Sequence, residues 1–341
     1  MKLSIIIPVY NGIHKLIKHA LPSIYKQKEL ETLDYEVIVV DDCSTEGKYE
    51  WLENKCKNLK VIKTDKNVGD ALARKRGMEC ASGEWVIFID SDDELIDGAL
   101  SVFDREIPDN VNIVICDVIA DCGEIVYVKN LLNRHESVCT HAKLWRRSFI
   151  LEDKNLFTHP KLRVTGDSFF TTVSLHITRK KYGDSSIMNV RIPFYKFNLR
   201  DSDTVTSGVN HYLYNGVARL LSYIDMADIY KDELGEEGVK ELLVEYYTMV
   251  ISQVREIDTS KINIDERRMV YDSCNMWFDY VFRKFKIIKF NDFRDFINEY
   301  CIYGSFSTGS LREQYNRWIH ERFVERRAIP DYRKDPRVFN V

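Results

Sequence analysis

The sequence predicts an α/β fold: a mixed, mostly parallel sheet flanked by helices, followed by an all-helical C-terminal region. Two observations predict it. Short apolar runs alternate with helical patterns in the first half of the chain, and strand patterns nearly vanish after about residue 210. Strands that alternate with helices pair in parallel and bury both faces of their sheet. We therefore expect a first domain over residues 1–210 and a helical accessory domain over 211–341.

The individual elements follow from the spacing of apolar residues. Leu3–Val9 is a continuous Ile-rich run, which is typical of a strand buried on both faces. Further strands are predicted over 35–40, 59–63, 84–89, 111–116, 125–128 and 188–197. Helices are predicted over 13–25, 45–57, 68–81, 141–151 and 167–177, and in the C-terminal region over 213–230, 236–257, 264–285, 290–303 and 311–324.

Composition narrows the class of protein. The 341 residues include 49 Lys+Arg and 53 Asp+Glu, so the net charge of −4 argues against a uniformly basic nucleic-acid binder. No run approaches the roughly 18 apolar residues of a membrane span, and the apolar N-terminus is too short for a signal peptide. The eight cysteines form no C-x-x-C pair. We expect reduced thiols in a cytoplasmic protein.

Two acidic clusters stand where predicted strands end. Asp41 and Asp42 close the second strand, and Asp90-Ser91-Asp92-Asp93 follows the fourth. In such sheets ligands lie beyond the carboxyl ends of the strands. Carboxylates gathered there favour Mg²⁺ or Mn²⁺ shared with a substrate diphosphate. The alternative is a solvated turn in which Asp92 or Asp93 caps a helix.

Other side chains near these clusters suit a nucleotide. A carboxylate of the Asp41-Asp42 pair could accept the imide N–H of a uracil ring, although a turn or cap is again the alternative. Arg74 lies between the clusters in sequence and could face a nucleotide or phosphate. Its alternative role is that of a surface helix arginine.

Five sequence blocks together resemble the family 2 glycosyltransferases of the GT-A fold. They are SIIIPVYN (4–11), VVDDCS (39–44), NVG (67–69) with Ala73, Arg74 and Gly77, ASGE (81–84) and FIDSDD (88–93). The resemblance is clear over residues 1–100 and fainter to about 206. It implies an inverting transferase that uses a nucleotide sugar and a divalent cation, Mn²⁺ or Mg²⁺.

The resemblance also assigns roles to residues of the acidic edge. Pro8, Val9, Tyr10 and Asn11 would lie under the nucleotide, and Asp42 would contact uracil. Asp90 and Asp92 would hold the ribose and the metal. Asp93 would act as a helix cap or support the metal-binding carboxylates.

Two further roles fall in the later part of the first domain. The block RVTGDSFF (163–170) places Asp167 where the family carries its catalytic base, with Gly166 where Glu is common. An upstream block, HAKLWRR (141–147), supports this alignment. A carboxylate at a helix N-terminus is held ionised, although Asp167 could instead be only a cap. Arg200 would clamp the diphosphate, with a surface loop as the alternative.

The sequence is compatible with several classes of acceptor. Cations and aromatics alternate over 312–337, and a second basic stretch covers 283–289. These suit an anionic glycan, a nucleic acid or membrane phosphates, although 312–337 also fits an ion-paired helix face. We expect a cell-surface or capsular glycan as acceptor. Alternatives are a hydroxymethylated DNA base, a protein, or a non-catalytic binding module, and the C-terminal helices could form a homodimer.

Overall fold

The computed structural model describes residues 2–120, 125–126, 140–152, 166–198, 209–256, 263–300 and 308–321, with a few positions between 328 and 334. The chain divides into two compact units, Met1–Ser202 and Asp203–Val341. The sequence prediction placed the boundary at 210, close to the first residue of the first helix of the second unit.

A mixed sheet forms the first unit. Its described strands are β1 (Leu3–Val9), β2 (Tyr35–Asp41), β3 (Leu59–Lys63), β4 (Trp85–Phe88), β5 (Glu94–Leu95), β6 (Ile113–Ala120), β7 (Ile125–Val126), β8 (Lys143–Arg146) and β9 (Ile187–Phe197). They run in the order β3-β2-β1-β4-β8-β6-β9-β5, and β7 pairs with β6.

The parallel part of the sheet contains the predicted buried strands. β3, β2, β1 and β4 pair in parallel, as do β6 and β9, whereas β8, β5 and β7 join their neighbours antiparallel. All seven residues of β2 are buried, and β1 is buried at every position except Pro8. This burial of both faces explains their continuous apolar sequence. The predicted mixed, mostly parallel sheet is confirmed.

Helices flank this sheet. Helix α1 (Ile13–Lys15) continues through a π-helical turn, Leu16–Ala20, into α2 (Leu21–Tyr25), and α3 covers Asp70–Cys80. Later come α4 (Arg147–Glu152) and α5 (Gly166–Tyr182). Helix α3 lies tightly on the sheet at Gly77, where a Cβ atom would come within 2.4 Å of the Ile6 side chain.

Two predicted helices are wrong. Over 45–57 the chain forms a loop and a short 3₁₀ helix, Glu50–Asn54, because Thr45 and Glu46 bond to the loop after β1 instead of to a helix of their own. Over 141–151, the first part is strand β8, inserted between β4 and β6, and only the remainder is helical. Tertiary pairing decides both segments, and the local pattern does not contain it.

The second unit is helical, as predicted. Its described helices are α6 (Val209–Ile229), α7 (Lys231–Glu256), α8 (Ile264–Phe285), α9 (Phe290–Tyr300) and α10 (Thr308–Ile319). Asn263 and Glu266 form a capping box that starts α8. Aromatic rings of α8, α9 and α10 pack together, with Phe282 and Trp318 ring centroids 4.5 Å apart. Among the described residues, no helix has the length and hydropathy needed to cross a membrane.

Glu36 ties the sheet together and makes its stability depend on pH. Its carboxylate is 2.8 Å from Lys60 Nζ and accepts hydrogen bonds of 2.7 Å from Ser4 and Ser82. Burial alone would raise the Glu36 pKa, but these partners outweigh it and lower the pKa to about 2. The stabilisation is therefore complete above the usual pKa of about 4.5 and is lost as pH falls toward 2.

We expect Glu36→Gln to destabilise the first unit by about 3 kcal/mol at pH 7, because a lowering of roughly 2.5 pKa units corresponds to that free energy. At pH 3 the gap between the two proteins should shrink by about 2 kcal/mol. Thermal unfolding at both pH values measures it, with the exposed Glu50→Gln as control. An equal gap at both pH values would contradict this account.

Candidate functional site

The carboxyl ends of β1, β2 and β4 bring three loops to one edge of the sheet. The loop after β1 begins at Tyr10, and the loop after β2 contains Asp42. Residues 90–93, which we call the acidic block, follow β4. The backbone N–H of Asp42 donates to the Val9 carbonyl at 2.8 Å, and that of Ile89 donates to the Ile6 carbonyl at 3.0 Å. The loops are thus fixed to neighbouring strands, as the sequence predicts.

Hydrogen bonds with residues 44–49 fix the loop after β1. Asn11 has a positive φ of 49°, and its side-chain oxygen accepts a 2.8 Å hydrogen bond from the Thr45 backbone. Glu46 accepts a 2.7 Å hydrogen bond from the backbone of Ile13, and Tyr49 accepts one from Gly12. Tyr10 stays 50% exposed. These hydrogen bonds fix the loop with the Tyr10 ring at the surface, and nucleotide contact by Tyr10 stays a prediction.

Asp42 is buried and fixes the neighbouring loop, residues 64–69. Its carboxylate accepts hydrogen bonds from the Thr64 hydroxyl and from the backbone N–H groups of Val68 and Gly69, all at 2.8–2.9 Å. These bonds close the loop that leads into α3. Uracil contact by Asp42 stays a prediction, and its structural role here is to position the 64–69 loop.

Asp90 is fixed between Arg74 and His141. Arg74 Nη2 donates to one of its oxygens at 2.7 Å, and His141 Nε2 lies 2.9 Å from the other. Burial would raise the Asp90 pKa, but Arg74 and His141 hold it well below its usual range. Arg74 is 3% exposed, so it is not a surface helix arginine. The pair orients the Asp90 carboxylate, whose side chain keeps 30% of its surface exposed.

Asp93 belongs to the interior side of the block. Tyr195 donates to one of its oxygens at 2.7 Å, and the backbone N–H of Asn198 donates to the other at 2.9 Å. Burial and the nearby Asp90 charge raise its pKa to about 6. The Asn198 side chain also donates to the Asp92 carbonyl at 2.6 Å. Tyr195 of β9 and Asn198 just after that strand therefore hold the acidic block in place. Support of metal-binding carboxylates by Asp93 stays a prediction.

Asp92 faces outward from the same block. Its side chain is 28% exposed, and Lys15 Nζ lies 3.4 Å from its carboxylate. A second set of potential ligands, Asp90, Asp93 and His141, offers atoms within 4.8 Å of one another. In that set both Asp93 oxygens already accept hydrogen bonds, and Asp90 is bonded to His141. The donor chemistry of the block fits a hard divalent cation. Asp90 and Asp92 are about equally exposed, at 30% and 28%, but both Asp90 oxygens are engaged by Arg74 and His141, whereas Asp92 has only the more distant Lys15 among the described residues.

Comparison with protein families shows the family to which the chain belongs. The model of "Glycosyl transferase family 2" matches residues 4–175, which cover half of the chain and all the loops described above. The chain belongs to glycosyl transferase family 2. Binding of a nucleotide sugar at the acidic edge stays a prediction.

Similar proteins support the same assignment. A poly(ribitol-phosphate) β-N-acetylglucosaminyltransferase of Staphylococcus aureus, TarS, is 43% identical over 97 residues, or 27% of this chain and 16% of its own length. A poly(ribitol-phosphate) β-glucosyltransferase of Bacillus spizizenii is 40% identical over 104 residues, or 29% of this chain and 16% of its own length. The chain thus matches only a small part of these relatives.

Solved structures extend the likeness of the fold. Residues 1–349 of S. aureus TarS in complex with UDP-GlcNAc superpose with a TM-score of 0.68 at 20% identity, covering 93% of this chain and 92% of that one. The fold of family 2 chains of the GT-A type is therefore shown, including a C-terminal helical region.

Two predicted site residues lie at the margin of the described structure. Asp167 occupies the first turn of α5, as the family alignment expects, but its side chain falls outside the described part. Arg200 lies outside the described residues, two positions beyond Asn198. Their roles stay predictions.

Sequence analysis missed three residues of the site. His141, Tyr195 and Asn198 contact the acidic block from more than 50 residues away in sequence. The sequence did single out the block that starts at His141, and Tyr195 closes an extended segment next to the predicted Arg200 region. Neither signal showed which carboxylate these side chains reach.

Tyr195→Phe should lower the stability of the first unit by about 2 kcal/mol. The change removes a buried donor to Asp93 and the acceptor for the Asp90 backbone N–H, 3.1 Å away. Thermal unfolding measures the loss, with Tyr182→Phe, at an exposed tyrosine, as control. A Tyr195→Phe protein as stable as the parent would show that these hydrogen bonds do not hold the block.

Proposed function

We propose that this family 2 chain transfers a sugar from a UDP-linked donor to a hydroxyl group of a cell-surface glycan or phosphate-containing polymer, with inversion at the anomeric carbon. The observation that carries the proposal is the acidic block at the carboxyl edge, where Asp92 faces outward beside a rigid Asp90. The names of the relatives favour this acceptor class over a DNA base or a protein, because they act on poly(ribitol phosphate).

The donor would lie along the three loops of the sheet edge. The loop of Pro8, Val9, Tyr10 and Asn11 supports the nucleotide, and its exposed Tyr10 ring offers an apolar face. Asp42 closes the uracil side, and Asp90, oriented by Arg74 and His141, accepts hydrogen bonds from the ribose hydroxyls. Because these groups are fixed before the donor binds, little ordering opposes binding.

A divalent cation, Mn²⁺ or Mg²⁺, would be held by Asp92 with help from Asp90. When bound, it stabilises the charge of the leaving diphosphate. Asp92 contributes the carboxylate that is least engaged by other side chains, while the hydrogen bonds from Tyr195 and Asn198 to its neighbour Asp93 keep the block in place. Arg200 would approach the same diphosphate from the segment that follows β9.

Asp167 would act as general base. A hydroxyl nucleophile must lose its proton as it attacks the anomeric carbon from the side opposite the leaving group. A carboxylate in the first turn of α5 is favoured as the anion by the helix dipole. A single base and one displacement invert the configuration. The helical second unit would bind the acceptor or a second copy of the chain.

The direct test is product analysis with the whole chain. UDP-GlcNAc and UDP-glucose are each incubated with Mn²⁺ and poly(ribitol phosphate), and the linkage is identified by NMR spectroscopy. We expect transfer from one donor, with a β linkage formed from the α-linked donor. An α linkage would overturn the role of Asp167, and transfer to DNA but to no glycan would overturn the acceptor class.

A further inference from the structure

A cationic corner lies at the turn between α8 and α9 in the second unit. We call it the α8–α9 corner and define it by Arg283, Lys286, Ile288, Lys289 and Arg312. The four cations are exposed. Arg283 is 3.9 Å from Asp279, and no described carboxylate lies within 4.0 Å of Lys286, Lys289 or Arg312. Most of the positive charge of the corner is therefore available to an outside partner.

The chain geometry gathers these side chains on one small surface. Lys286 ends α8 with a left-handed conformation (φ 53°), which turns the chain directly into Ile287 to Lys289 and then α9. Arg312 reaches the same place from α10, where its guanidinium lies 4.2 Å from the centre of the Phe290 ring. Two carboxylates of this region accept hydrogen bonds from neutral donors, Asp292 from the Lys289 backbone N–H and Asp279 from Trp318 Nε1.

Ile288 projects from the middle of this charge. It is 78% exposed, whereas Ile287 beside it is buried. The backbone of Ile288 is fixed by a hydrogen bond, because its carbonyl accepts the Tyr315 hydroxyl at 3.2 Å. The aromatic layer of Phe282, Phe290 and Tyr315 supports the turn from below. The protein thus holds a large aliphatic side chain out in water among four cations.

We propose that the α8–α9 corner docks on an anionic bilayer surface, with Ile288 inserted among the lipid headgroups and the four cations facing lipid phosphates. Such an interface takes both an apolar side chain and basic residues. A soluble polyanion would use the cations alone and would leave Ile288 in water. The exposed isoleucine therefore favours a bilayer over a free phosphate polymer.

The proposal does not rest on the proposed transferase function, because binding needs neither donor nor acceptor. A cation near an anionic membrane contributes about fivefold to the partition coefficient. The double variant Lys286→Gln, Lys289→Gln should therefore bind phosphatidylglycerol vesicles about 25-fold more weakly. Ile288→Ser should weaken binding about fivefold, because it removes the inserted apolar surface.

Sedimentation of the whole chain with vesicles measures this binding. We expect binding to vesicles of phosphatidylglycerol and phosphatidylcholine, loss of binding in 0.5 M salt, and no binding to phosphatidylcholine alone. Ile264→Ser, which changes an isoleucine that is 75% exposed at the opposite end of α8, is the apolar control and should bind normally. Lys55→Gln, Lys57→Gln, at exposed lysines of the first unit, is the charge control.

Three results would overturn the proposal. The first is a chain that does not sediment with anionic vesicles. The second is binding to polyphosphate that competes with vesicles and is unchanged by Ile288→Ser, which would identify a polyanion surface. The third is equal weakening in the control variants, which would show that net charge rather than the corner is responsible. Circular dichroism confirms that each variant is folded.

Discussion

Asp167→Asn is expected to lower kcat by about 10³-fold while leaving donor binding nearly unchanged. An amide at this position keeps the size of the side chain, but it cannot take a proton from the acceptor hydroxyl. General-base catalysis typically contributes between about 10² and 10⁴ in rate. Initial rates with saturating donor and acceptor measure the loss, and donor-dependent thermal stabilisation measures binding.

The comparison of rate with binding separates a base from a cap. A cap lost at α5 would reduce stability and rate together, whereas a missing base lowers the rate of a fully folded protein. Asp97→Asn is a suitable control, since this carboxylate is 78% exposed and pairs with Lys26 at the surface. Near-normal rates in Asp167→Asn would place the base elsewhere in the site.

The sequence predicts the parallel half of the sheet because its strands are buried on both faces. A strand in that position is mostly apolar, and β1 and β2 show Ile- and Val-rich runs in which the buried Ser4 and Glu36 bond to each other. Helix α8 is predicted to the residue for a related reason. Its capping residues Asn263 and Glu266 and its C-terminal turn at Lys286 are encoded locally.

Segments whose partners are distant in sequence are predicted less well. The segment 45–57 has charged residues at helical spacing, yet Glu46 is needed to accept the Ile13 backbone N–H. Lys143–Arg146 becomes a strand because β4 and β6 leave a gap that it fills. In both cases a contact between distant parts of the chain outweighs a weak local preference.

The site follows the same rule. Asp90 and Asp92 are predicted from sequence as site residues. Charged carboxylates at the end of a buried strand are costly unless a partner compensates their charge. The hydrogen bonds around these carboxylates come from Arg74, His141, Tyr195 and Asn198, whose positions the fold alone determines. Asp42 shows the difference most clearly, since its three hydrogen bonds to the 64–69 loop are invisible in sequence.

Asp92→Asn is expected to abolish metal-dependent donor binding. At a donor concentration of a hundred times Kd, the parent protein should gain about 2.7 kcal/mol of stability. If the substitution weakens binding by about a hundredfold, the gain at the same concentration falls to about 0.4 kcal/mol. Thermal shifts with Mn²⁺ and the donor, repeated after addition of EDTA, measure both values. In the variant, EDTA should make no further difference.

The same measurement distinguishes the two candidate sets of metal ligands. If Asp92 holds the cation, His141→Asn should weaken donor binding only through the orientation of Asp90, and the response to EDTA should persist. If Asp90, Asp93 and His141 hold it instead, His141→Asn should remove the response to EDTA and Asp92→Asn should retain it. The engaged oxygens of Asp90 and Asp93, set against the single 3.4 Å contact of Asp92 with Lys15, favour the first outcome. Because His141 is stacked on Tyr195, with ring centroids 4.6 Å apart, the stability of His141→Asn without ligand must be measured as its own baseline.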